Sequence, residues 1–549
     1  MTRSVAIVSL FAFAVCSAPS RPPLVTAVAG TPVAATAAPA WTNGGTCYEV
    51  FVRSFYDSNG DGIGDLQGLI QKLDYINDGN PASTSSLGAS CIWLMPVAVS
   101  PSYHGYDVSD YYTVQPAYGT NDDFKRLVAE AHRRGIAILV DMVLNHSSSA
   151  HPYFQAALRD TTSTYRSWYR FSPTSLGLGP WGAEAWHPSP VRNEFYYGVF
   201  SSDMPDLNYQ TDAVRAEAKR IAAYWLQQMG VDGFRLDAIP YLVEEGGCLM
   251  GCPGTHAFLR EYAAYVSSIA PAAYTVGEAW GNIDSVMPYY PDQLTSQFAF
   301  ELSDSLLGAV RRGSVGGMLA GYIRLQDTLP GYRWSPFLTN HDQTRTMTAL
   351  GGDPALAKEA ATLLLTLPGM PFVYYGEEIG MSGDKPDPRL RTPMQWSSGN
   401  AGGFSSGTPW EDLQPDAQTV NVVAESANPS SLLSLYRQLI HLRSANAAIA
   451  TGKLVPLYTG NANIAAYLRT TSAQAVLVMV NLGATSASVP TLGSGVGVLP
   501  QGTYAAQGLL GGRDGAALVI GADGSFSGYA PLSGQLGPHQ SAVLGLIHR

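Results

Sequence analysis

With 549 residues the chain exceeds one ordinary domain and can bury a sizeable core. A formal net charge of -11 with only 14% charged residues excludes a nucleic-acid surface, which needs clustered Lys and Arg, and suits a neutral or cationic ligand. Thirty Tyr and ten Trp fit stacking on the apolar faces of sugars, although aromatic residues serve mostly as core.

The first segment reads as an export signal: Arg3, an apolar run from Val5 to Val15, then small residues. The run is shorter than the about 20 residues a membrane span needs, so no transmembrane segment is expected. Cys16-Ser17-Ala18 and Ala27-Val28-Ala29 both offer small-x-small cleavage sites, and residues 1–29 are assigned to the signal. A lipid-modified Cys16 is disfavoured by the bulk of Val15 before it. Residues 30–40, rich in Ala, Pro, Thr and Val without helical period, read as a linker. A secreted or periplasmic location is the expectation. Four cysteines remain in a compartment that permits disulfides. Cys248 and Cys252 share a Gly-rich loop and would close a small ring, which leaves Cys47 for Cys91. The alternative is zinc, against which stand the single closely spaced pair and the absence of a His at ligand spacing.

From Cys47 strand-like and helix-like stretches alternate. Cys47 to Phe55 reads as strand one, and Asp65 to Asp78 as a helix with Leu66, Leu69, Ile70 and Leu73 on one face. Cys91 to Pro96 is strand two. Thr120 to Arg134 is the clearest helix: Thr120 and Asn121 can cap it, Asp122 and Asp123 favour its first turn, and Phe124, Leu127, Val128 and Ala131 form its stripe. Gly135 ends it. Ile136 to Val143, an uninterrupted apolar run, is strand three and predicts burial on both faces.

The alternation then stops. Asn145 to about Leu207 is rich in Tyr, Trp, Pro, Ser and Gly, and a stretch this long without period predicts an inserted subdomain, bounded at 147–207. Regularity resumes with a helix from Asp212 to Met229, strand four at Val231, strand five at Tyr274 and a weaker strand near Leu294 to Phe300. Strand seven runs to Asp342, a helix covers Pro354 to Leu367, strand eight lies around Met370 to Tyr375, and a helix from Ser431 to Arg443 closes the series. Eight strand–helix units of largely parallel type predict an α/β fold, a (β/α)8 TIM barrel over residues 41–446, in which reactive groups sit at the carboxyl ends of strands. From about Ala448 short Val, Leu and Tyr runs between Gly, Ser and Thr clusters predict a C-terminal antiparallel β-sandwich, residues 447–549.

Three of these strands end in acids. Arg235 and Asp237 stand two apart, on the same side of a strand. Glu278 follows Tyr274-Thr275-Val276-Gly277, and Asp342 follows Phe337-Leu338-Thr339-Asn340-His341. One buried Arg–Asp pair is as readily structural as functional, but three carboxylates at strand ends of one barrel read as a site.

The short motifs occur in a fixed order: Asp141 to Asn145-His146 after strand three, Met204-Pro205-Asp206-Leu207-Asn208 closing the insertion, then Gly233 to Asp237, Gly277-Glu278-Ala279-Trp280 and Asn340-His341-Asp342. In this order they resemble the α-amylase family, glycoside hydrolase family thirteen, over nearly everything from Cys47 onward. The resemblance implies a retaining glycoside hydrolase with Asp237 as nucleophile, Glu278 as general acid/base and Asp342 as the third carboxylate, holding substrate hydroxyls. Arg235 beside Asp237 is expected to lower its pKa and keep it charged. The resemblance also implies substrate contacts for His146 and His341, stacking by Tyr106, hydroxyl binding by Asp107, and a contribution from Arg391; lone residues of these types are more often structural.

A further constellation is Asp57-Ser58-Asn59-Gly60-Asp61-Gly62-Ile63-Gly64-Asp65. Oxygen ligands at alternate positions with Gly62 at a sharp turn follow the first part of the EF-hand loop, but Gly68 stands where its distal Glu would be. Calcium held by Asp57, Asn59, Asp61, the Ile63 carbonyl and Asp65 is the expected cofactor, and similar loops bind calcium in related enzymes. The competing reading is a solvated turn.

The subgroup is harder. The Asp57 loop is similar to that of oligo-1,6-glucosidase, neopullulanase and trehalose synthase relatives, and the motif ending at Asn208 resembles an intermediate subgroup between the first two. After Asp237, Ala238-Ile239-Pro240-Tyr241 lacks the Lys-His pair of many α-amylases and resembles trehalose synthases, whereas export argues against a synthase. An endo-acting, monomeric hydrolase of α-1,4-glucosidic bonds in starch and maltooligosaccharides is expected, with an α-glucosidase or a transglycosylase of short α-glucosides as the alternative. A binding protein on an inactive barrel is the reading from another class, and retention of all three carboxylates opposes it.

Overall fold

The computed structural model describes residues 39–329, 331, 333–510 and 512–549. The expected signal and all but the last two residues of the expected linker lie outside the described residues. The chain divides into two units, Met1–Ala34 and Ala35–Arg549, and everything below concerns the second.

Eight parallel strands form the barrel: β1 (Cys47–Val50), β2 (Cys91–Leu94), β3 (Ala137–Met142), β4 (Gly233–Leu236), β5 (Tyr274–Gly277), β6 (Ser296–Phe298), β7 (Trp334–Ser335) and β8 (Phe372–Tyr374). They neighbour one another in chain order, and β8 pairs with β1. Between β7 and β8 the ring closes through Met370 N–H to the Trp334 carbonyl and Phe372 N–H to the Pro336 carbonyl. Side chains alternate inward and outward along each strand. Tyr48, Val50, Ile92, Leu94, Ile138, Val140, Phe234 and Leu236 point out into the core under the helices. Cys47, Cys91, Leu139, Tyr274 and Val276 fill the barrel's inside with Trp93, Phe298, Phe337 and Phe372.

One step further along the strands the inward positions turn polar. Glu49 is paired in register with Trp93, and Asp141 with Arg235. The same alternation that packs the floor of the barrel therefore lifts charged residues to its carboxyl rim.

Helices follow their sequence signals with local departures. Thr120 caps Asn121–Arg133 in a reciprocal box with Asp123, and Phe124, Leu127, Val128 and Ala131 are its buried stripe. The single helix expected from Asp65 to Asp78 is two, Leu66–Gln71 and Leu73–Ile76, because the Lys72 amide turns back onto the Leu69 and Ile70 carbonyls. Strand one stops at Val50, and Val52–Phe55 winds into a helical turn. Strand seven does not reach Asp342: Pro336 has no N–H to continue the ladder, and Phe337 to Asp342 run on as a loop.

The insertion is a small subdomain of helix Pro152–Arg159 and a three-stranded antiparallel sheet of Phe171–Ser172, Phe195–Tyr197 and Trp186–Pro188. Backbone bridges from His146 to Asp206 and from Tyr169 to Leu207 close its neck. The C-terminal region is a six-stranded antiparallel sheet with two short ribbons, Ala487–Ser488 with Gln535–Leu536 and Leu492–Ser494 with Phe526–Tyr529. Ile464, Ala466, Leu468, Leu477 and Met479 pack under the ribbons, while Ala465, Tyr467, Val476, Val478 and Val480 face the barrel's core. The sheet is thus covered on both sides, as a sandwich layer must be.

Both cysteine pairs are joined: Cys47–Cys91 links β1 to β2, and Cys248–Cys252 closes a short loop after β4, which removes the zinc alternative. No helix among the described residues is long and apolar enough to cross a membrane.

Candidate active site

Arg235, completely buried on β4, gathers three carboxylates. Its Nη1 donates to Asp141 Oδ1 at 2.8 Å and to Asp237 Oδ1 at 2.5 Å, and its Nη2 lies 2.8 Å from Glu278 Oε2. Its guanidinium also lies over the Trp93 ring, 5.2 Å from the centroid. Asp237 follows the last residue of β4 and Glu278 the last of β5, so adjacent strands deliver them to one fork. Ala238, in the left-handed region at φ 49°, turns its N–H back to Glu278 Oε2 at 3.0 Å. Trp280 Nε1 donates to Glu278 Oε1 at 2.8 Å.

Three carboxylates face one guanidinium, so full ionisation would leave two buried negative charges uncompensated. Burial, with Glu278 and Asp141 adding to it, pushes the Asp237 carboxyl well above the ordinary range, against the pull of Arg235. This corrects the expectation that Arg235 would hold it low: one cation is shared among three acids in a desolvated place. Asp141 is raised for the same reason, burial first. Asp237 and Asp141 are thus raised together, and their titration belongs to the pair rather than to either residue.

Asp342 lies in a second, oppositely balanced group. Arg391 Nη2 donates to its Oδ1 at 2.8 Å and His341 Nε2 lies 3.2 Å from its Oδ2. Burial alone would raise it, but His341 and then Arg391 hold its carboxyl far below the usual range. His341 Nδ1 contacts Glu49 Oε1 at 2.5 Å. Burial lowers the imidazole, yet the Asp342 and Glu49 carboxylates raise it to about 9. Arg391 Nε donates to the His341 carbonyl. Tyr106 joins the two groups: its hydroxyl donates to Asp141 Oδ2 at 3.0 Å and lies 2.6 Å from His341 Nε2, with the two rings stacked. Asp237, Glu278 and Asp342 are thus connected through Arg235, Asp141, Tyr106 and His341 at one rim.

Because the folded His341 titrates near 9 and an unfolded histidine near 6.5, its contribution is complete below pH 6.5 and is lost as pH rises through 9. The unfolding free energy should fall by about 3 kcal/mol across that window, and His341→Gln should flatten the fall. Denaturant titrations at pH 6, 7.5 and 9.5 check this, and a parent curve as flat as the variant's would contradict it.

His146 is buried and neutral near pH 7, burial lowering it to about 4. Its Nδ1 meets Asn145, and its Nε2 has no partner among the described residues. Asp107 accepts from Ser100 Oγ at 2.6 Å and from Ser102 Oγ, with His104 Nδ1 at 4.0 Å. It lies outside the Arg235 cluster. Of the residues that hold this site, Glu49 carried a signal that sequence reading passed over, an acid in an inward position of an apolar strand, and Asp141 appeared in a motif without a role.

The Asp57 loop stands apart from this site. Asp57 accepts from the amides of Asn59, Gly60 and Gly62 and from Ser405, and Asp65 accepts from Ser58 and Gly68. Asn59 accepts from the Asp61 amide and Asp61 from the Ile63 amide. The donor set is all oxygen, which suits a hard cation, and Asn59 and Asp61 retain lone pairs. Asp57 and Asp65 are already occupied by donors, and among the described residues no three His, Cys, Asp or Glu side chains gather as a metal centre.

Residues 49–452 match the family model for the α-amylase catalytic domain. The chain is 37% identical over 447 residues to α-amylase 3 of Dictyoglomus thermophilum, covering 80% of this chain and 85% of that protein. It is 36% identical over 495 residues to the trehalose synthase/amylase TreS of Mycolicibacterium smegmatis, covering 79% and 81%. The crystal structure of an α-amylase from H. orenii superposes with a TM-score of 0.77 at 37% identity, over 92% of this chain and 99% of that one.

Proposed function

The chain belongs to the α-amylase family, glycoside hydrolase family thirteen, and is a glycosidase; on that premise we propose that it cleaves α-1,4-glucosidic bonds in starch and maltooligosaccharides with Asp237, Glu278 and Asp342 as its working acids. The observation that carries this reading is the single guanidinium of Arg235 reaching both Asp237 and Glu278, which brings the two carboxyl groups from adjacent strands to one point of the rim.

In the proposed cycle Asp237 attacks the anomeric carbon in its ionised form, the form that Arg235 favours against burial, while Glu278 gives its proton to the glycosidic oxygen, so the leaving sugar departs as an alcohol. A glycosyl ester on Asp237 results. Glu278, now a carboxylate, takes a proton from water, whose oxygen attacks the same carbon and frees Asp237. Two displacements retain configuration, which is the family's mechanism. Asp342, held ionised by His341 and Arg391, accepts hydroxyl hydrogen bonds from the sugar. Tyr106, beside His341, supplies a ring next to the sugar, and the family resemblance adds Asp107 and Arg391 as further contacts.

The alternative, an α-glucosidase or transglycosylase of short α-glucosides, is favoured by the Ala238-Ile239-Pro240-Tyr241 sequence and by the likeness to the trehalose synthase/amylase. Chromatography of products from starch, maltose, isomaltose and trehalose separates the two. Maltooligosaccharides released from starch support the first reading, and trehalose or isomaltose turnover without starch cleavage overturns it. We extend the proposal to an exported protein, supported by the apolar run after Arg3 and by two disulfides, which suit an oxidising compartment. Detection of the chain in the cytoplasm alone would contradict export.

Calcium in the Asp57 loop is proposed on the alternate oxygens of Asp57, Asn59, Asp61, Ile63 and Asp65, where an ion would compete with the amides that Asp57 now accepts. Asp61→Ala should lower the melting temperature by several degrees in calcium and by nothing measurable in chelator. Equal losses in both would remove the ion from the account.

A further inference from the structure

Outside the barrel, away from its carboxyl rim, a cleft of about 300 Å3 lies between helix Leu432–Ala445 and the loop that leads into the start of β2. The cavity beside Phe300 holds about 20 Å3 and the one beside Tyr274 and Met370 about 50 Å3, so of these three only the cleft has room for a small ligand. The helix builds one wall through its period. Leu432, Leu433, Tyr436, Leu439 and Ile440 are buried in the barrel's core, while Ser434, Arg437, Gln438 and His441, at spacings of three and four, form a polar stripe along the cleft.

The cleft keeps its shape without a ligand. His441 Nε2 meets the Ser86 carbonyl at 3.2 Å, and Gly88, at φ 79°, lies so close to the imidazole that a Cβ there would come within 2.7 Å of it. The loop carrying Ser83 and Thr84 is thereby fastened to the helix. At the other end Lys358 Nζ donates to the Ser430 carbonyl at 2.6 Å, which fixes the turn that follows Ser426.

Arg437 is the anomaly in this cleft. Its Nε is buried without a hydrogen-bond partner among the described residues, and its guanidinium rests 5.9 Å from the centre of the Tyr75 ring. An arginine in open solvent is served by water, but a buried N–H has no such recourse, and buried donors in folded proteins are nearly always paired. None of the residues lining the cleft is acidic, in a chain whose net charge is -11. The acids that flank it in sequence are engaged elsewhere: Glu425 Oε2 accepts from the Leu432 and Leu433 amides at 3.1 and 3.3 Å, and Asp78 Oδ1 from the Asn80 amide at 3.0 Å. Thr84, Ser426 and Gln438 also commit their side chains to no described group.

A cation with an unmet donor and no acid beside it suits an oxyanion, and the planar guanidinium fork matches phosphoryl oxygens in particular. The cleft exceeds what a bare phosphate fills, and the rest of its lining is hydroxyl and amide, which suits the hydroxyls of a sugar. No aromatic face lines it, so an uncharged glucan finds no stacking surface there. We propose that this cleft binds a phosphate ester of a sugar, with the phosphoryl oxygens on Arg437 and the sugar hydroxyls on Thr84, Ser426 and Gln438. The site is separate from the carboxyl rim and does not depend on the chemistry assigned there.

The test titrates inorganic phosphate, glucose 6-phosphate and glucose calorimetrically into the full chain at fixed ionic strength, with thermal melts alongside, for the parent, Arg437→Gln and Ser434→Asp. Glucose 6-phosphate should bind the parent with Kd on the order of 1 mM or tighter and raise its melting temperature, and phosphate should bind about tenfold more weakly. Arg437→Gln should weaken glucose 6-phosphate at least tenfold and leave the response to glucose unchanged. Ser434→Asp sets a carboxylate three positions before Arg437, in a first helical turn that favours an acid, so it should weaken binding as much without lowering the melting temperature. Equal affinity for phosphate and glucose 6-phosphate would overturn the sugar half of the proposal and leave a phosphate site. No binding of either to the parent, or binding as tight in both variants, overturns it entirely.

Discussion

Asp237→Asn should lower turnover of maltooligosaccharides by about 10^4-fold or more while leaving the fold at least as stable as the parent's. The amide keeps the shape of the side chain and an oxygen for Arg235 Nη1, but it has no charge with which to form the ester. Its effect on stability has the opposite sign from most active-site losses. Burial and the carboxylates of Glu278 and Asp141 raise Asp237, so neutralising it relieves repulsion in a cluster with one guanidinium for three acids. Glu278→Gln makes the contrast. It should cost about 10^2- to 10^4-fold on maltooligosaccharides, whose leaving alcohol needs a proton, and far less in the first step on nitrophenyl α-glucoside, whose phenolate leaves without one. Kinetics on both substrates with thermal melts decide the matter. Residual turnover near the parent's in Asp237→Asn, or an equal deficit of Glu278→Gln on both substrates, would reverse or remove the roles.

Much of this arrangement is legible in the sequence because strand periodicity is a strong signal. Val231 to Ile239 places Arg235 and Asp237 on one side of a strand, and they do meet at 2.5 Å. The long run without period after Asn145 indicated the inserted subdomain, and the Gly-rich loop around Cys248 and Cys252 indicated their bridge. What sequence could not supply was the balance of burial against charge. Arg235 read alone beside Asp237 lowers a pKa; Arg235 shared with Asp141 and Glu278 does not, and the sharing depends on the register of three strands. Strands are also shorter than their apolar runs. An apolar run such as Phe337 to Leu338 looks the same whether it pairs or lines the barrel's interior as a loop, and only Pro336 hinted at the difference.

Arg235→Met should be the most damaging single substitution in the rim. Methionine fills similar volume, so the change isolates charge. It strands Asp141 at the rim of β3 and Asp237 and Glu278 beyond β4 and β5, each with a largely buried side chain that loses its cation. Removing one partner of a buried ion pair typically costs about 3–5 kcal/mol, and here three acids lose the same partner. The loss has an outlet, because a carboxylate without its cation can take up a proton. The variant's deficit relative to the parent should therefore be largest at pH 7 to 8 and smaller at pH 4.5, where the acids are neutralised by protons instead of by Arg235. Lysine should recover stability only in part, since one ammonium cannot match a planar fork that reaches Asp141 and Asp237 through one nitrogen and Glu278 through the other. Denaturant unfolding of parent, Arg235→Met and Arg235→Lys at both pH values measures this. A deficit below about 1 kcal/mol, or one that does not change between pH 4.5 and 8, would mean that the three carboxylates do not depend on this guanidinium, and the site built on it would have to be given up.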